Sequence, residues 1–426
     1  MTPTRLLVLT CALFLGTGAV WAGDWPGFRG PTGLGYTDEK DLPLTWNGKS
    51  GENIVWKAPL VGGGPKADFT SPGHSSPIVW RDRVFITTAV FPDNLTDKER
   101  RTTIADHHVI CFRASDGKQL WETTVPPGKC VVDNQYHGYA VPTPATDGTH
   151  VFALFGSGVV AALDFEGKII WREELPRKRD VDGGICSSPV LYGNLLIIPG
   201  LAEPGLRALE KKTGKVKWEQ KTRDRNNMPT PALLKIGDKT QLIHYAGGIQ
   251  ALDPDTGDLL WFCRGPSVSY SSPAYGAGLL YADAGRGGQT GTAVDPTGKG
   301  DVSKTHVKWQ VKTTSAAGSS PIFVGEYLYR IADPGLIRCW KAETGELVYE
   351  ERTPKITPSS SPIATPDGRI YFASPNRSYV IKAGPKFEVL ATNDLEPGSQ
   401  DYTTPAVSEG RIFIKGRSFL WCIGKK

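Results

Sequence analysis

The stretch from Pro229 to Trp261, PTPALLKIGDKTQLIHYAGGIQALDPDTGDLLW, contains four short apolar runs separated by turn residues. Gly, Asp and Pro punctuate the runs, and none of them continues with the 3.6-residue period of a helix. The pattern therefore predicts four β-strands joined by tight turns. Because one such unit cannot bury its apolar faces alone, the stretch also implies neighbours of the same kind.

The opening and the close of this stretch both recur along the chain. The last proline of the opening tripeptide, (Ser/Thr/Pro)-(Ser/Thr)-Pro, falls at Pro77, Pro144, Pro189, Pro231, Pro273, Pro321, Pro362 and Pro405. The closing position falls on Trp121, Trp171, Trp218, Trp261 and Trp309, with Tyr349 and Leu390 in the later copies. Successive openings are 67, 45, 42, 42, 48, 41 and 43 residues apart, so the first unit carries an insertion, residues 91–106. We interpret this insertion as an exposed excursion and, because loops often carry function, also as a place where function could lie.

Eight openings are followed by only seven closings, so one unit lacks its last strand. A strand-like segment around Trp56 precedes the first opening and can supply it. The sequence thus predicts an all-β protein, an eight-bladed β-propeller of four-stranded antiparallel blades whose ring is closed by an N-terminal strand near Trp56. We expect the propeller domain to span residues 52–426. Residues 23–51 form an N-terminal extension that packs outside the ring or on one face of it.

Residues 1–22 have the pattern of a secretory signal peptide: Arg5, an apolar core from Leu6 to Leu15, and a small-residue cleavage pattern ending at Ala22. Cys11 lies inside that core, too early for lipid attachment. We therefore expect an exported protein, periplasmic or extracellular, monomeric and without a transmembrane segment. The net charge of +5 is mild, and the one compact basic run, residues 177–179, lies in a loop, so nucleic acid is not an expected partner.

The cysteines of the mature chain predict little covalent cross-linking. Cys111 and Cys339 each lie ten residues before a closing aromatic, a register held elsewhere by Ala161, Ala208 and Ala251, and Cys422 fits the matching site of blade eight. Such residues are small buried strand positions in different blades. Cys130 and Cys186 lie in inter-blade connections and could form a disulfide. We predict no metal site, and we interpret Asp106-His107-His108 as the start of a strand.

The residues just before each opening proline should gather at one mouth of the central channel. They are His74, Tyr136, His137, Tyr139, Asp182, Arg225, Asn226, Asn227, Tyr270, Gln400, Asp401 and Tyr402. Convergent aromatic, amide and charged groups of this kind suit a small-molecule or peptide site. The alternative is that they cap strand ends and hold water in a polar channel.

Several motifs carry a resemblance to a known family. The pattern Ala-Leu-Asp-x-x-Thr-Gly-x-x-x-Trp at Ala251–Trp261, with related forms at Ala208–Trp218 and Cys339–Tyr349, is similar to the tryptophan-docking motif of pyrroloquinoline-quinone (PQQ)-type propellers. Together with Trp25–Pro31, Tyr139–Trp171 and Gly300–Trp309, it resembles exported bacterial PQQ-like propeller proteins over essentially the whole mature chain. The resemblance implies that the tryptophans, Trp56 with Trp121, Trp171, Trp218, Trp261 and Trp309, pack between blades.

Two better understood relatives of that family imply different activities. Quinone-dependent alcohol dehydrogenases hold PQQ with a calcium ion, an adjacent-cysteine disulfide, a tryptophan and an aspartate base, whereas the propeller lipoprotein of the outer-membrane barrel-assembly machinery is a scaffold. This chain has no adjacent cysteines and no recognisable calcium-binding set, so we predict no cofactor. The leading hypothesis is a non-enzymatic scaffold for a protein, peptide or glycan partner in the cell envelope. The alternative is a PQQ- and calcium-dependent oxidoreductase acting on an alcohol or sugar.

Overall fold

The computed structural model describes most of residues 23–425. The described residues are 23–61, 73–100, 102–132, 138–175, 185–199, 205–222, 228–266, 269–284, 290–313, 318–332, 335–353, 360–374, 377–396 and 403–425. In this part of the chain the strands form eight sheets arranged as eight blades, which confirms the predicted fold. Its one helix, α1 (Asp97–Arg100), has four residues, and no helix in the described ranges is long and apolar enough to cross a membrane.

The strands follow the chain blade by blade, after a first strand that precedes all of them. Up to the fourth blade they are β1 (Ile54–Pro59), β2 (Ile78–Trp80), β3 (Arg83–Val90), β4 (Asp106–Arg113), β5 (Gln119–Val125), β6 (Ala145–Thr146), β7 (His150–Leu154), β8 (Val159–Asp164), β9 (Ile169–Glu174), β10 (Val190–Tyr192), β11 (Leu195–Pro199), β12 (Gly205–Glu210), β13 (Val216–Lys221), β14 (Ala232–Ile236), β15 (Lys239–Tyr245), β16 (Ile249–Leu252) and β17 (Leu259–Cys263). The remaining strands are β18 (Ala274–Gly276), β19 (Leu279–Ala282), β20 (Thr290–Val294), β21 (Gly300–Asp301), β22 (Val307–Lys312), β23 (Ile322–Val324), β24 (Tyr327–Ala332), β25 (Leu336–Lys341), β26 (Leu347–Arg352), β27 (Ile363–Ala364), β28 (Arg369–Ala373), β29 (Ser378–Lys382), β30 (Val389–Asn393), β31 (Ala406–Ser408), β32 (Arg411–Lys415) and β33 (Phe419–Ile423).

The ring is closed as predicted, by the first strand. β1 pairs antiparallel with β33 in the last blade, with Trp56 opposite Cys422. The core lies between neighbouring blades: Phe152 and Leu154 of blade two, for example, pack with Leu196 and Ile198 of blade three. Each blade therefore buries its faces against the next, which is why the units require one another.

A closed ring of hydrogen bonds explains the hydroxyl residue in the opening tripeptide. In each blade the N–H of that residue donates to the side-chain oxygen of its counterpart in the next blade, at 2.9–3.1 Å. The eight members are Ser76, Thr143, Ser188, Thr230, Ser272, Ser320, Ser361 and Thr404, and the N–H of Thr404 returns to Ser76. This hydroxyl ring ties the starts of all eight inner strands together around the channel.

Every blade bends its outermost strand at the same place. Where the outermost strand pairs with the third strand, the register shifts beside the closing position in all eight described sheets. A bulge adds local twist and spoils the flat edge on which another strand could pair. In blade four the edge is also covered, because β21 pairs in parallel with β17.

The closing tryptophans reach into the following blade, with one exception. Trp56, Trp121, Trp171, Trp218 and Trp309 each donate from Nε1 to a carbonyl of the next blade at 2.7–3.1 Å. An ideal Cβ on Gly257, in the turn where Trp218 docks, would lie 2.7 Å from the indole ring, so glycine is required there. Trp261 instead donates to Gln241 of its own blade at 2.8 Å.

Two predicted register positions need correction. Trp171 pairs with Ala162 rather than Ala161, because the turn of blade two is one residue shorter than those of blades one, three, four and six. In blade seven the closing position is Ala391, opposite Val380, and Leu390 occupies the bulge.

The N-terminal segment crosses one end of the channel, and we call residues 24–37 the strap. Its hydrogen-bonding partners on the inner strands include Val79, Thr146, Tyr275 and Ala364. These residues lie at or near the C-terminal ends of their strands, whereas the hydroxyl ring precedes the first residues. The strap therefore covers the end of the channel opposite the one where the inner strands begin. We call the latter end the loop mouth.

Candidate functional site

Most of the predicted channel-mouth residues lie outside the described residues. These are Tyr136, His137, Asp182, Arg225, Asn226, Asn227, Gln400, Asp401 and Tyr402. Their convergence at the loop mouth stays a prediction. His74 and Tyr270 are described and partly exposed, each next to a buried serine, Ser75 or Ser271.

Tyr139 differs from the prediction because it is a packing residue. Its side chain is 1% exposed. The hydroxyl donates to the carbonyl of Thr103 at 3.2 Å and accepts from the N–H of Val132 at 3.1 Å. Tyr139 therefore joins the blade-one insertion to the connection that leads into blade two.

The insertion itself is ordered by local contacts. Thr96 and Glu99 form a reciprocal cap at the start of α1: the N–H of Thr96 donates to the carboxylate at 2.8 Å, and the N–H of Glu99 donates to the Thr96 hydroxyl at 3.3 Å. Hydrogen bonds donated to the Glu99 carboxylate by the Thr96 hydroxyl, at 2.6 Å, and by the Thr96 N–H lower the pKa of Glu99. Phe91 packs edge-on to Tyr139 with ring centroids 6.0 Å apart, and the guanidinium of Arg100 lies 5.7 Å from the Phe91 ring. The predicted exposed excursion is thus anchored at its base.

His107 lies beneath Tyr139 in a buried pocket between blades one and two. Its Nε2 is 2.7 Å from the Ser157 hydroxyl, and its ring stacks on Phe155 at 4.5 Å with an interplanar angle of 17°. Burial lowers the pKa of His107 to about 4. Ser157 is 1% exposed, so this serine–histidine pair cannot meet a substrate and serves packing.

Strand alternation separates the three residues that could have formed a metal site. Asp106 is exposed, His107 is buried, and His108 turns to the opposite face, where its Nδ1 lies 2.9 Å from Glu122. Among the described residues no three His, Cys, Asp or Glu side chains are grouped to hold a metal ion.

The strap inserts a buried cation into the channel. Arg29 is 0% exposed, and its Nη2 donates to the carbonyls of Leu34 and Pro321 at 2.8 and 2.9 Å. Its Nη1 reaches the carbonyl of Pro273 at 3.4 Å. Burial lowers the pKa of Arg29 to about 10, so the group stays charged at neutral pH. Arg29 thus joins the strap to blades five and six through backbone acceptors.

A second buried polar pair was not found from the sequence. Asp283, at the end of β19, accepts from the Nε of Arg330 at 2.8 and 2.9 Å, and the Tyr281 hydroxyl lies 3.3 Å away. Burial raises the pKa of Asp283, while Arg330 opposes that rise. No periodic signal in the sequence points to this pair, because its partners come from different blades, 47 residues apart.

The described residues do not fit a quinone and calcium site. Asp283, the one fully buried described carboxylate near the loop mouth, is committed to Arg330. The thiols of Cys111, Cys339 and Cys422 are buried within blades, opposite Trp121, Tyr349 and Trp56. The disulfide considered between Cys130 and Cys186 is not present in the structure, where the Cys130 thiol lies 3.7 Å from the carbonyl of Val131.

Comparison with known proteins gives one family and several similar folds. A protein-family model described as "Outer membrane protein assembly factor BamB" matches residues 32–179 and 105–264, which together exceed half of the chain. A polyvinylalcohol dehydrogenase from Pseudomonas sp is 25% identical over a region that covers 36% of this chain and 34% of that protein. The match therefore spans about a third of that relative's length.

Two solved structures share the architecture. BamB from Moraxella catarrhalis has a TM-score of 0.58 at 15% identity, and the match covers 86% of this chain and 96% of that one. A europium-containing methanol dehydrogenase has a TM-score of 0.60 at 13% identity, with coverage of 94% and 91%. Similarity at this level of identity shows the fold alone.

Proposed function

This chain belongs to the PQQ-like β-propeller family described as outer membrane protein assembly factor BamB, and on that premise we propose that it is an extracytoplasmic scaffold. In this proposal it binds a protein or peptide partner, or a glycan, through the loop mouth. The role would lie in assembly of the envelope or the outer membrane, and the protein would act as a monomer in the periplasm or outside the cell.

The observation that carries the proposal is the contrast between the two ends of the channel. The strap covers one end with backbone hydrogen bonds to several inner strands and with the buried Arg29. The described ends of the inter-blade connections, such as His74 and Tyr270, and the anchored blade-one insertion lie at the other end. Because loops on a rigid ring can vary without loss of the fold, that end is the favoured place for recognition.

The described side chains support binding more than catalysis. His74 and Tyr270 are partly exposed at the loop mouth, and tyrosine is enriched in protein interfaces. Two pairs of polar side chains are of kinds used in catalysis, His107 with Ser157 and Asp283 with Arg330. Both pairs are buried, and the two members of each pair bond to one another.

Site-specific cross-linking tests the proposal. A photoreactive amino acid placed at Tyr270 should capture a partner in intact cells, whereas the same group at Leu347, 50% exposed on the outer strand of blade six, should not. The variants Tyr136→Ala, Arg225→Ala and Tyr402→Ala should weaken capture. Capture at Leu347 alone, or capture unaffected by all three variants, would contradict binding at the loop mouth.

The match to a polyvinylalcohol dehydrogenase favours a second candidate, an oxidoreductase that acts on an alcohol or sugar with PQQ and calcium. The direct test is to add PQQ and calcium to the purified mature chain. Stoichiometric retention of the quinone, or dye reduction with an alcohol or aldose, would support the enzyme and count against the scaffold.

A further inference from the structure

Four aromatic rings connect the blade-one insertion to blade two, and we call them the ring stack: Phe91, Tyr139, His107 and Phe155. Successive ring centroids are 6.0, 5.3 and 4.5 Å apart. Phe91 begins the insertion, His107 lies at the start of β4, and Phe155 follows β7 in blade two. The stack is therefore a continuous link between a long loop and the next blade.

One of the two inner members of the stack, His107, has a side chain that can bind a proton near neutral pH. His107 is 0% exposed, and its described neighbours on both ring faces, Tyr139 and Phe155, are uncharged. Its Nε2 is bonded to the Ser157 hydroxyl, which can accept or donate. An imidazolium in this pocket would lose its water without gaining a carboxylate partner among the described residues, so the pocket favours the neutral ring.

The charged groups around His107 have opposing effects. His108 on the same strand and Arg172 of β9 disfavour a second positive charge, while the backbone carbonyls of Ala105 and Asp106 favour it. His108 itself faces Glu122 on the opposite side of β4. Burial outweighs the two carbonyls, so the net preference is for the uncharged form.

Tyr139 transmits the state of His107 to the loops. Its hydroxyl holds Thr103 of the insertion and Val132 of the following connection, while its ring lies against His107. If His107 leaves the stack to reach water, the ring that supports Tyr139 is lost, and both loop segments lose their shared anchor.

We infer that the ring stack is an acid-sensitive latch: protonation of His107 releases the insertion and residues 130–132 and so reshapes the loop mouth. Arg172 and Glu174 of blade two continue to hold residues 126–129. The latch depends on contacts among described residues, whichever partner the loop mouth binds.

The direction and size of the effect follow from linkage. The latched imidazole has a pKa of about 4, whereas a released one has the ordinary value of 6.5. The released state therefore binds the proton more tightly, and its population rises as pH falls below 6.5 and levels off near 4. Between pH 7.5 and 5.5 the opening constant should rise about tenfold, a figure set by the released imidazole because the latched one stays neutral over that range.

Hydrogen exchange followed by mass spectrometry tests the latch. Exchange is measured at pH 7.5 and 5.5 and converted to protection factors with the intrinsic rates at each pH. Protection of residues 91–100 and of Val132 should fall about tenfold at the lower pH. Protection of Lys129, whose N–H donates to Glu174, and of the strap should not change. Unchanged protection in both loop segments would overturn the inference.

Two variants and a control locate the proton. In His107→Gln the amide can still bond Ser157 but does not titrate, so the pH dependence should vanish. In Ser157→Ala the histidine remains without its hydroxyl partner, so protection at pH 7.5 should be lower and the pH dependence should persist. His244→Gln, which removes another buried histidine in blade four, should leave the loops as pH-sensitive as in the wild type. A fall that persists in His107→Gln, or one that disappears in Ser157→Ala or His244→Gln, would contradict the latch.

Discussion

The contacts at the two ends of the channel differ in their physics. At the strap, main-chain hydrogen bonds and the guanidinium of Arg29 join one segment to blades far away in sequence, and none of these groups titrates near neutral pH. At the loop mouth, the ring stack depends on a neutral imidazole, that of His107. The contacts at the strap should therefore be permanent and those at the loop mouth conditional, although both involve short segments with little regular structure.

The largest effect is expected at the permanent end. Arg29→Ala removes three hydrogen bonds to carbonyls from a charged donor and leaves a cavity between the strap and the ring. We expect a loss of about 3–5 kcal/mol in the free energy of unfolding, measured by urea denaturation at pH 7.5.

A partly exposed arginine is the matched control. Arg411 donates from Nη1 to the carbonyl of Ala114 at 3.0 Å at the junction of blades eight and one. Since water can replace that bond, Arg411→Ala should cost about 1 kcal/mol or less. Equal losses in the two variants would mean that the strap is not a stabilising closure.

Backbone contact at the strap can be tested with two of its own glycines. Gly35 has a φ of +87°, and a Cβ there would lie 2.6 Å from the carbonyl oxygen of Pro362, whereas Gly33 has a φ of +69° with nothing within 4 Å. Both substitutions by alanine incur left-handed strain of about 1–2 kcal/mol, but only Gly35→Ala also forces the strap away from blade seven. We expect a loss of about 2–4 kcal/mol for Gly35→Ala and about 1 kcal/mol for Gly33→Ala by denaturant titration. The comparison would fail if Gly33→Ala were the more damaging variant.

The ring could be predicted from sequence because its determinants repeat. The hydroxyl–proline tripeptide makes the hydroxyl ring, and a closing tryptophan such as Trp218 docks on a glycine turn, so each blade carries its own local signal. The strap has no such signal. Its course is set by contacts such as Arg29 with Pro321, separated by 292 residues, and nothing in residues 24–37 is periodic.

The candidate site was less predictable, for a related reason. Because Tyr139 lies just before an opening tripeptide, its position predicts a ligand-binding residue. The blade-one insertion folds over Tyr139, however, and this contact buries the side chain. Likewise, a sequence cannot show that His107 faces blade two while His108 faces Glu122 until the strand's orientation in the ring is known. Loop residues such as Arg225 carry no repeat constraint, so their convergence stays a prediction.

Low pH should lower the free energy of unfolding through two buried histidines. Only one of them, His107, belongs to the ring stack. Burial lowers the pKa of both His107 and His244 to about 4. The unfolded chain binds these protons at about 6.5, so stability present above pH 6.5 is lost progressively as pH falls toward 4. From pH 7.5 to 5.5 we expect a loss of about 2–3 kcal/mol in total, measured by urea titration at each pH.

His244→Gln separates the two contributions. His244 lies in blade four, away from the ring stack, so the variant should recover about 1 kcal/mol of the acid-induced loss without altering exchange in the insertion. Recovery of the whole loss would place the acid sensitivity outside the loop mouth.

The smallest effect is expected from a single hydroxyl at the conditional end. Tyr139→Phe keeps its ring in the stack but removes the bonds to Thr103 and Val132, each worth about 0.5–1.5 kcal/mol net. At pH 7.5 and at pH 5.5, protection of residues 91–100 and of Val132 from hydrogen exchange should fall about tenfold relative to the wild type at the same pH, since the loss does not involve a proton.

Tyr371→Phe is the matched control. It also removes a tyrosine hydroxyl, but next to the segment that follows the strap. The Tyr371 hydroxyl accepts from Arg369 at 2.8 Å and lies 3.5 Å from the carbonyl of Leu42, in the segment that follows the strap. This variant should lower protection around Leu42 and leave the insertion unchanged. If Tyr139→Phe left the insertion fully protected, its hydroxyl would not be the anchor of the loops, and the loop mouth would owe its order to ring packing alone.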